Sequence, residues 1–335
     1  MPRPPRIVLT AGDPCGIGPE VTLKALTAAA RLRTRLLVIG DLPVFEATAR
    51  RLRLRLPRWT TLSAAPSEAS LEAPLMFLDC GHQDRFRPGR SAAAAGRASL
   101  AYLDRAMALW RSGWLDALVT APVTKWAIAA VEPSFVGQTE YFARAAHCRD
   151  VVMMFAAERL RVVLLTRHLP LAAVSRTLTP RLLRTTIRLT ARALRTDFGL
   201  ARPRLALCGV NPHAGEAGRF GREERAVMGP ALAGLAREGI HCDGPFAADG
   251  LFGQPIAHDA IVCAYHDQGL IPFKFAARDR GCQVSLGLPF VRTAPDHGSA
   301  LDIAGKGRAH PGSMRYAIRL AAQLAAHRQH AGRKT

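Results

Sequence analysis

Short apolar runs recur along this chain, each closed by a turn and most followed by a helical pattern. No other feature restricts the fold as much. The runs Ile7–Ala11, Leu36–Gly40, Leu75–Cys80, Ala117–Thr120, Val151–Phe155, Val162–Thr166, Leu205–Val210, Ala260–Ala264 and Val284–Leu286 have the length and composition of buried strands. Helical patterns follow GDPCGIGPE (12–20) through about Ala30, start at Pro43, and cover Ser91–Trp110, the basic amphipathic Pro180–Phe198, and Tyr316–Arg328. Strands alternating with helices over short connections predict an α/β fold with a largely parallel sheet. The segment Pro57–Pro74 is polar and rich in small residues, and reads as an irregular excursion. At 335 residues the chain exceeds what one hydrophobic core usually organises, so two domains or lobes are expected.

Composition narrows the class. The chain is 49% hydrophobic and 21% charged, as a globular protein is. No apolar run approaches the ~20 residues of a membrane helix. The opening MPRPPRIVLTAGDP has no apolar segment ahead of a cleavage site, so neither membrane anchor nor signal peptide is expected. Seven dispersed cysteines form no CxxC pair, which fits a reducing cytoplasm and argues against a disulfide framework. A net charge of +20 suggests nucleic acid first. Arginine supplies nearly all of it, most densely from Arg31 to Arg58, where it alternates with leucine on predicted helix faces. No nucleic-acid-binding motif accompanies it, so solvated faces are the expected explanation and no nucleic-acid partner is expected. An anionic small-molecule substrate would gain from the same field.

Three strand runs end in histidine. In PRLALCGVNPHAGEAGRFGREE (203–224) an apolar run meets the turn signal Asn211-Pro212, then His213, then a loop with glycines at 215, 218 and 221. Arg222, Glu223 and Glu224 open a helical pattern with acids in its first turn, where the helix dipole favours them. Open α/β sheets place ligands where a strand ends in such a loop. His168 in LLTRHLP and His266 in CAYHDQG hold the same place after their own runs. The three are too far apart in sequence for a local metal motif, so only the sheet can bring them together. Three neutral imidazoles with open coordination positions describe a catalytic divalent site, suited to a hydrolase or to a redox step. Asp267 and Asp249 are nearby carboxylates that can orient a ligand. Lys274 in GLIPFKF and Arg292 in SLGLPFVRT are apolar-flanked cations on predicted strand ends, suited to phosphate or carboxylate, and Thr139 can add a hydroxyl donor. Asp296-His297-Gly298 reads as a further helix N-terminus. The other histidines are assigned to loops and surface. Gly12, Gly16 and Gly18 lack GxGxxG spacing, so no Rossmann dinucleotide site is expected.

In order, GDPCGIGPE, TAPVTK, GQTEYFA, NPHAGEAGRFGREE, YHDQGLIPFK and SLGLPFVRTAPDHGSALDIAGKG resemble the 4-hydroxythreonine-4-phosphate dehydrogenase family of vitamin B6 synthesis, from Gly12 to Gly307. The resemblance implies the two-lobed fold of isocitrate and isopropylmalate dehydrogenases, with a cleft between lobes. One lobe would be 1–135 plus 270–335. The other would be 136–269, carrying the metal-ligand loops and the dimer interface of a homodimer that completes the site. It implies NAD or NADP bound without a Rossmann fingerprint, and a divalent ion (zinc, magnesium or cobalt) on His168, His213 and His266, with Asp249 and Asp267 in the catalytic set. It implies a phosphorylated substrate held by Gln138, Thr139, Lys274, Gln283 and Arg292. The implied reaction oxidises 4-phosphooxy-L-threonine and decarboxylates the product to 3-amino-2-oxopropyl phosphate. Two positions depart: the family usually has histidine where Gln138 stands and asparagine where Gln283 stands. Both fall on substrate contacts, so the alternative is a paralogue acting on 4-phospho-D-erythronate or threonate, or on a diol acid.

Overall fold

A computed structural model describes residues 3–29, 33–66 and 73–331. Ala30, Arg31 and part of the Pro57–Pro74 segment lie outside the described residues. The chain divides into two compact units, Met1–Arg149 with Leu288–Thr335, and Asp150–Gly287. The first begins with β1 (Arg6–Thr10), α1 (Gly18–Ala29), β2 (Arg35–Gly40), α2 (Leu42–Leu52), β3 (Thr60–Leu62), β4 (Leu75–Asp79), α3 (Ala93–Arg111), β5 (Ala117–Thr120), α4 (Lys125–Ala129) and α5 (Gln138–Ala145). The second holds β6 (Val152–Ala157), β7 (Arg161–Leu164), α6 (Leu171–Thr177), α7 (Pro180–Thr196), β8 (Leu205–Cys208), α8 (Gly229–Arg237), β9 (Cys242–Phe246), α9 (Ala248–Phe252), β10 (Ala260–Cys263), α10 (His266–Ala277) and β11 (Gly281–Leu286). β12 (Val291–Pro295) and α11 (Gly312–Ala331) return to the first unit.

In the first unit the strands run β3-β4-β2-β1-β5-β12, every neighbouring pair parallel. β5 is buried at every residue and β1 at all but its first, which is why these strands read as unbroken apolar runs. In the second unit the order is β11-β6-β7-β10-β8-β9. There β11 and β7 flank β6 antiparallel, while β7, β10, β8 and β9 are parallel neighbours.

The observed division falls at Arg149/Asp150 and Gly287/Leu288, whereas the sequence expectation placed it at 135/136 and 269/270. Packing explains the difference. α5 belongs with the first unit, because Gln138 Nε2 donates to Ala121 O at 3.1 Å and the Phe142 and Phe290 rings meet edge to face at 6.1 Å. α10 and β11 belong with the second, because Phe273 is fully buried in its core and β11 pairs along the length of β6.

The arginines lie on solvated faces. α7 buries Leu183, Ile187, Ala191 and Leu194 and exposes Arg181, Arg188, Arg192 and Arg195. In the dense block, Arg50, Arg51, Arg53, Arg55 and Arg58 are exposed, and α2 ends at Leu52, so the last three leave the predicted helix face. Helix α7 is capped by Thr179, whose Oγ1 accepts from Leu182 N at 3.1 Å, with Pro180 opening the helix. Thr179→Ala is expected to lower the unfolding free energy by ~1 kcal/mol in urea titrations. No change would mean that the cap is already replaced by water. No described helix is long and apolar enough to cross a membrane.

Candidate active site

In the first unit the strand order reverses at β1 and β5: β2, β4 and β3 lie on one side, β12 on the other. The carboxyl ends of two such strands frame the crevice where open α/β sheets bind ligands. The loops after them are pressed together. Asp13 N donates to Pro122 O at 2.9 Å, and Gly12, at φ +72°, sits where a Cβ would be 2.3 Å from that carbonyl oxygen. Only glycine fits there. Asp13, fully buried, accepts from Cys15 N at 2.7 Å and from Ser91 Oγ at 2.6 Å, and so fixes the loop.

Arg292 stands on β12 beside β5, 3% exposed. Its Nη2 donates to Thr120 Oγ1 at 2.6 Å and to Gln138 Oε1 at 3.4 Å; its Nη1 donates to Thr139 Oγ1 at 3.2 Å. The Phe142 ring lies under the guanidinium at 5.6 Å. These oxygens hold the cation in one orientation, and a buried, oriented guanidinium has the fork geometry that suits a bidentate anion. Gln138 is already engaged on both sides of its amide, Oε1 toward Arg292 and Nε2 on Ala121 O.

In the second unit β7, β10 and β8 are adjacent and parallel, so His168, His266 and His213 follow the carboxyl ends of three neighbouring strands. The loops are stitched to one another. Thr166 N and Oγ1 both donate to Ala264 O, at 3.2 and 2.7 Å, tying the His168 loop to the His266 loop. Gln268 accepts from Ala264 N and donates to Gly209 O, both at 2.7 Å, tying the His266 loop to the His213 loop. The His168 and His266 rings come within 5.9 Å of each other. His266 Nδ1 meets Asp267 Oδ1 at 2.7 Å, which leaves Nε2 for another partner. His213 is exposed on a left-handed turn, its ring 6.1 Å from Phe220. Among the described residues no group of three His, Cys, Asp or Glu is close enough to hold an ion. The donor chemistry nevertheless suits a divalent ion: three imidazoles on one sheet edge, two of them ring to ring.

Several expectations are corrected. Lys274 is exposed in the last turn of α10, not desolvated on a strand end, because its helical phase turns it away from buried Phe273. Asp296-His297-Gly298 opens no helix. Asp296 exchanges hydrogen bonds with Ser313, and the helix starts at Gly312. The acids after Arg222 do not open a regular first turn either: Glu224 begins a π-helical turn and folds back onto the His213 loop. Asp249 is exposed on α9, which packs against the His213 loop. Gln283 is buried on β11 and donates to Ser285 Oγ at 3.0 Å. Thr120, Gln268 and Glu224 were missed. Only Thr120 left a local sign, a polar residue closing an apolar run.

Beside this loop, Glu223 is pulled down to about 2, first by the Ser175 hydroxyl, then by its own backbone N–H and the Asn211 amide. Its folded value lies below the ordinary 4.5, so the stabilisation is complete above about 4.5 and is lost as pH falls toward 2. Wild type should therefore be more stable than Glu223→Gln at neutral pH, with the gap closing in unfolding titrations across that acid window. A gap independent of pH would exclude the charged carboxylate as its source.

A profile of the family described as "Pyridoxal phosphate biosynthetic protein PdxA" matches residues 32–321. The chain is 44% identical over 330 residues to a 4-hydroxythreonine-4-phosphate dehydrogenase of Acidithiobacillus ferrooxidans, covering 98% of each. It resembles the crystal structure of 4-hydroxythreonine-4-phosphate dehydrogenase from Klebsiella pneumoniae with a TM-score of 0.85 and 34% identity, over 96% of this chain and 98% of that one. A terephthalate 1,2-cis-dihydrodiol dehydrogenase from Burkholderia xenovorans is also similar, with a TM-score of 0.66 and 34% identity, over 96% of this chain and 98% of that one.

Proposed function

Since the chain belongs to the PdxA family of dehydrogenases, we propose that it oxidises 4-phosphooxy-L-threonine with NAD or NADP. The resulting β-keto acid then loses CO2 to give 3-amino-2-oxopropyl phosphate, a step toward pyridoxal 5'-phosphate. The enzyme works as a homodimer in the cytoplasm, in keeping with seven free cysteines. The observation that carries this reading is the buried Arg292, oriented by Thr120, Thr139 and Gln138.

Arg292 takes the substrate phosphate through its planar fork, held in one orientation by the two threonine hydroxyls. Gln138 holds the guanidinium from a third side. Lys274 brings a second cation on a long exposed stem, and Gln283 a buried amide. His168, His213 and His266 would hold the divalent ion. When bound, the ion supplies Lewis acidity toward a substrate oxygen, and the nicotinamide accepts the hydride. With Nδ1–H donating to Asp267, His266 keeps the Nε2 lone pair available. Asp249, exposed near the His213 turn, would accept the substrate's hydroxyl proton.

A second reading is favoured by the likeness to a diol dehydrogenase and by Gln138 and Gln283: oxidation of 4-phospho-D-erythronate or threonate, or of a diol acid. The test compares NADH formation from 4-phosphooxy-threonine, 4-hydroxythreonine, 4-phospho-erythronate and terephthalate dihydrodiol. The phosphorylated threonine should exceed its dephosphorylated form by about 100-fold in kcat/KM, about 2.7 kcal/mol. A tenfold preference for the sugar acid or the diol would install the second reading. No NADH from any of them would remove both.

A further inference from the structure

We infer that Glu224 is the positioning residue for His213: its buried carboxylate is the seat on which the turn carrying that imidazole is built. The inference rests on the metal reading above. From His213 to Ala217 the backbone is left-handed at every residue: φ is 51° at His213, 51° at Ala214, 78° at Gly215, 40° at Glu216 and 56° at Ala217. This conformation crowds the Cβ of any L-residue against its own backbone, and only Gly215 is exempt. Such a turn persists only if its surroundings fix it.

Glu224 supplies the fixing contacts. It is 4% exposed, and its Oε1 accepts from Val210 N at 2.8 Å and from Asn211 N at 2.9 Å, while Oε2 accepts from Asn211 Nδ2 at 3.0 Å. These are charge-assisted bonds to the chain just before His213. Just after it, Gly215 lies so close that a Cβ would stand 2.7 Å from Glu224 Oε2. The same carboxylate therefore bonds the chain before the histidine and packs closely against the chain after it. Neighbours reinforce it: Glu223 accepts from Asn211 Nδ2 at 2.8 Å, and Arg225 Nη1 donates to Ala217 O at 2.9 Å. Glu224 opens a π-helical turn, Glu224–Met228, a local widening of the kind often found at functional sites.

The test uses full-length Glu224→Gln, with His213→Ala as reference, and two measurements. In metal-free protein, amide exchange across 210–218 should rise about tenfold or more while β8 and β10 stay protected. Affinity for Co2+ should fall by about 10–100-fold, the usual cost of removing support behind a ligand. Glu224→Gln should add nothing to the loss already caused by His213→Ala. Gly215→Ala should act in the same direction, and it carries the test if Glu224→Gln does not fold. A folded variant with unchanged exchange and unchanged Co2+ affinity overturns the inference, as does a loss that simply adds to that of His213→Ala. If wild type binds no Co2+, the metal reading falls. The exchange measurement then still decides whether Glu224 seats the turn.

Discussion

Replacing His213 with alanine is expected to remove nearly all NADH production while the protein stays folded. The side chain is exposed, so no core packing is lost, and surface changes of this kind usually stay within ~0.5 kcal/mol of wild type. At φ 51° alanine keeps the same Cβ crowding that histidine already bears, so the turn itself gives little reason for unfolding. Activity should fall well beyond the ~10–100-fold that follows loss of an outer hydrogen-bond partner, because here a ligand itself is lost. Chelation should do the same to wild type, and a divalent ion should restore it. Steady-state rates with and without chelator, beside a thermal unfolding curve, check both parts. Full activity in the variant or in chelated wild type would refute the assignment of His168, His213 and His266 as ligands.

The second large effect belongs to Arg292. Arg292→Met keeps an unbranched chain of similar length and removes the charge and the fork. Losing one side of a buried, hydrogen-bonded charge pair with a substrate phosphate typically costs about 2–5 kcal/mol, here read as a fall of about 30-fold or more in kcat/KM. The change should lie chiefly in KM for the phosphorylated substrate, because the phosphate is remote from the reacting carbon and binds in ground and transition states alike. Arg292→Lys should recover only part, since an ammonium cannot reach Thr120, Thr139 and a phosphate through one planar fork. The dephosphorylated substrate serves as control: it should be nearly indifferent to either change. If both substrates lose equally, Arg292 supports the fold or another step and does not anchor the phosphate.

Much of the architecture was legible because buried parallel strands leave continuous apolar runs. β4, β5, β8 and β10 lie within runs read from sequence, and β1 and β2 each begin one residue before theirs. Helices with a clear apolar stripe or cap were equally plain, as α7 was from Pro180 onward. Short or polar strands left no such signal: β3 has three residues, and β9, CDGPF, carries a glycine and a proline at the sheet edge. The histidines could be marked because each follows a strand, and position after a strand is a local property. Their distances from one another are not. Adjacency of β7, β10 and β8 set His168 ring to ring with His266, while the left-handed turn after Asn211 set His213 beside Phe220. Lys274 and Arg292 looked alike in sequence, each a cation flanked by apolar residues. Helical phase put one in solvent, and a strand beside β5 buried the other among threonine hydroxyls. Local residue pattern determines period, caps and strand ends, because those depend on neighbours a few positions away. Burial, partner choice and the grip of Glu224 on a distant loop depend on residues far apart in the chain, and only tertiary packing decides those.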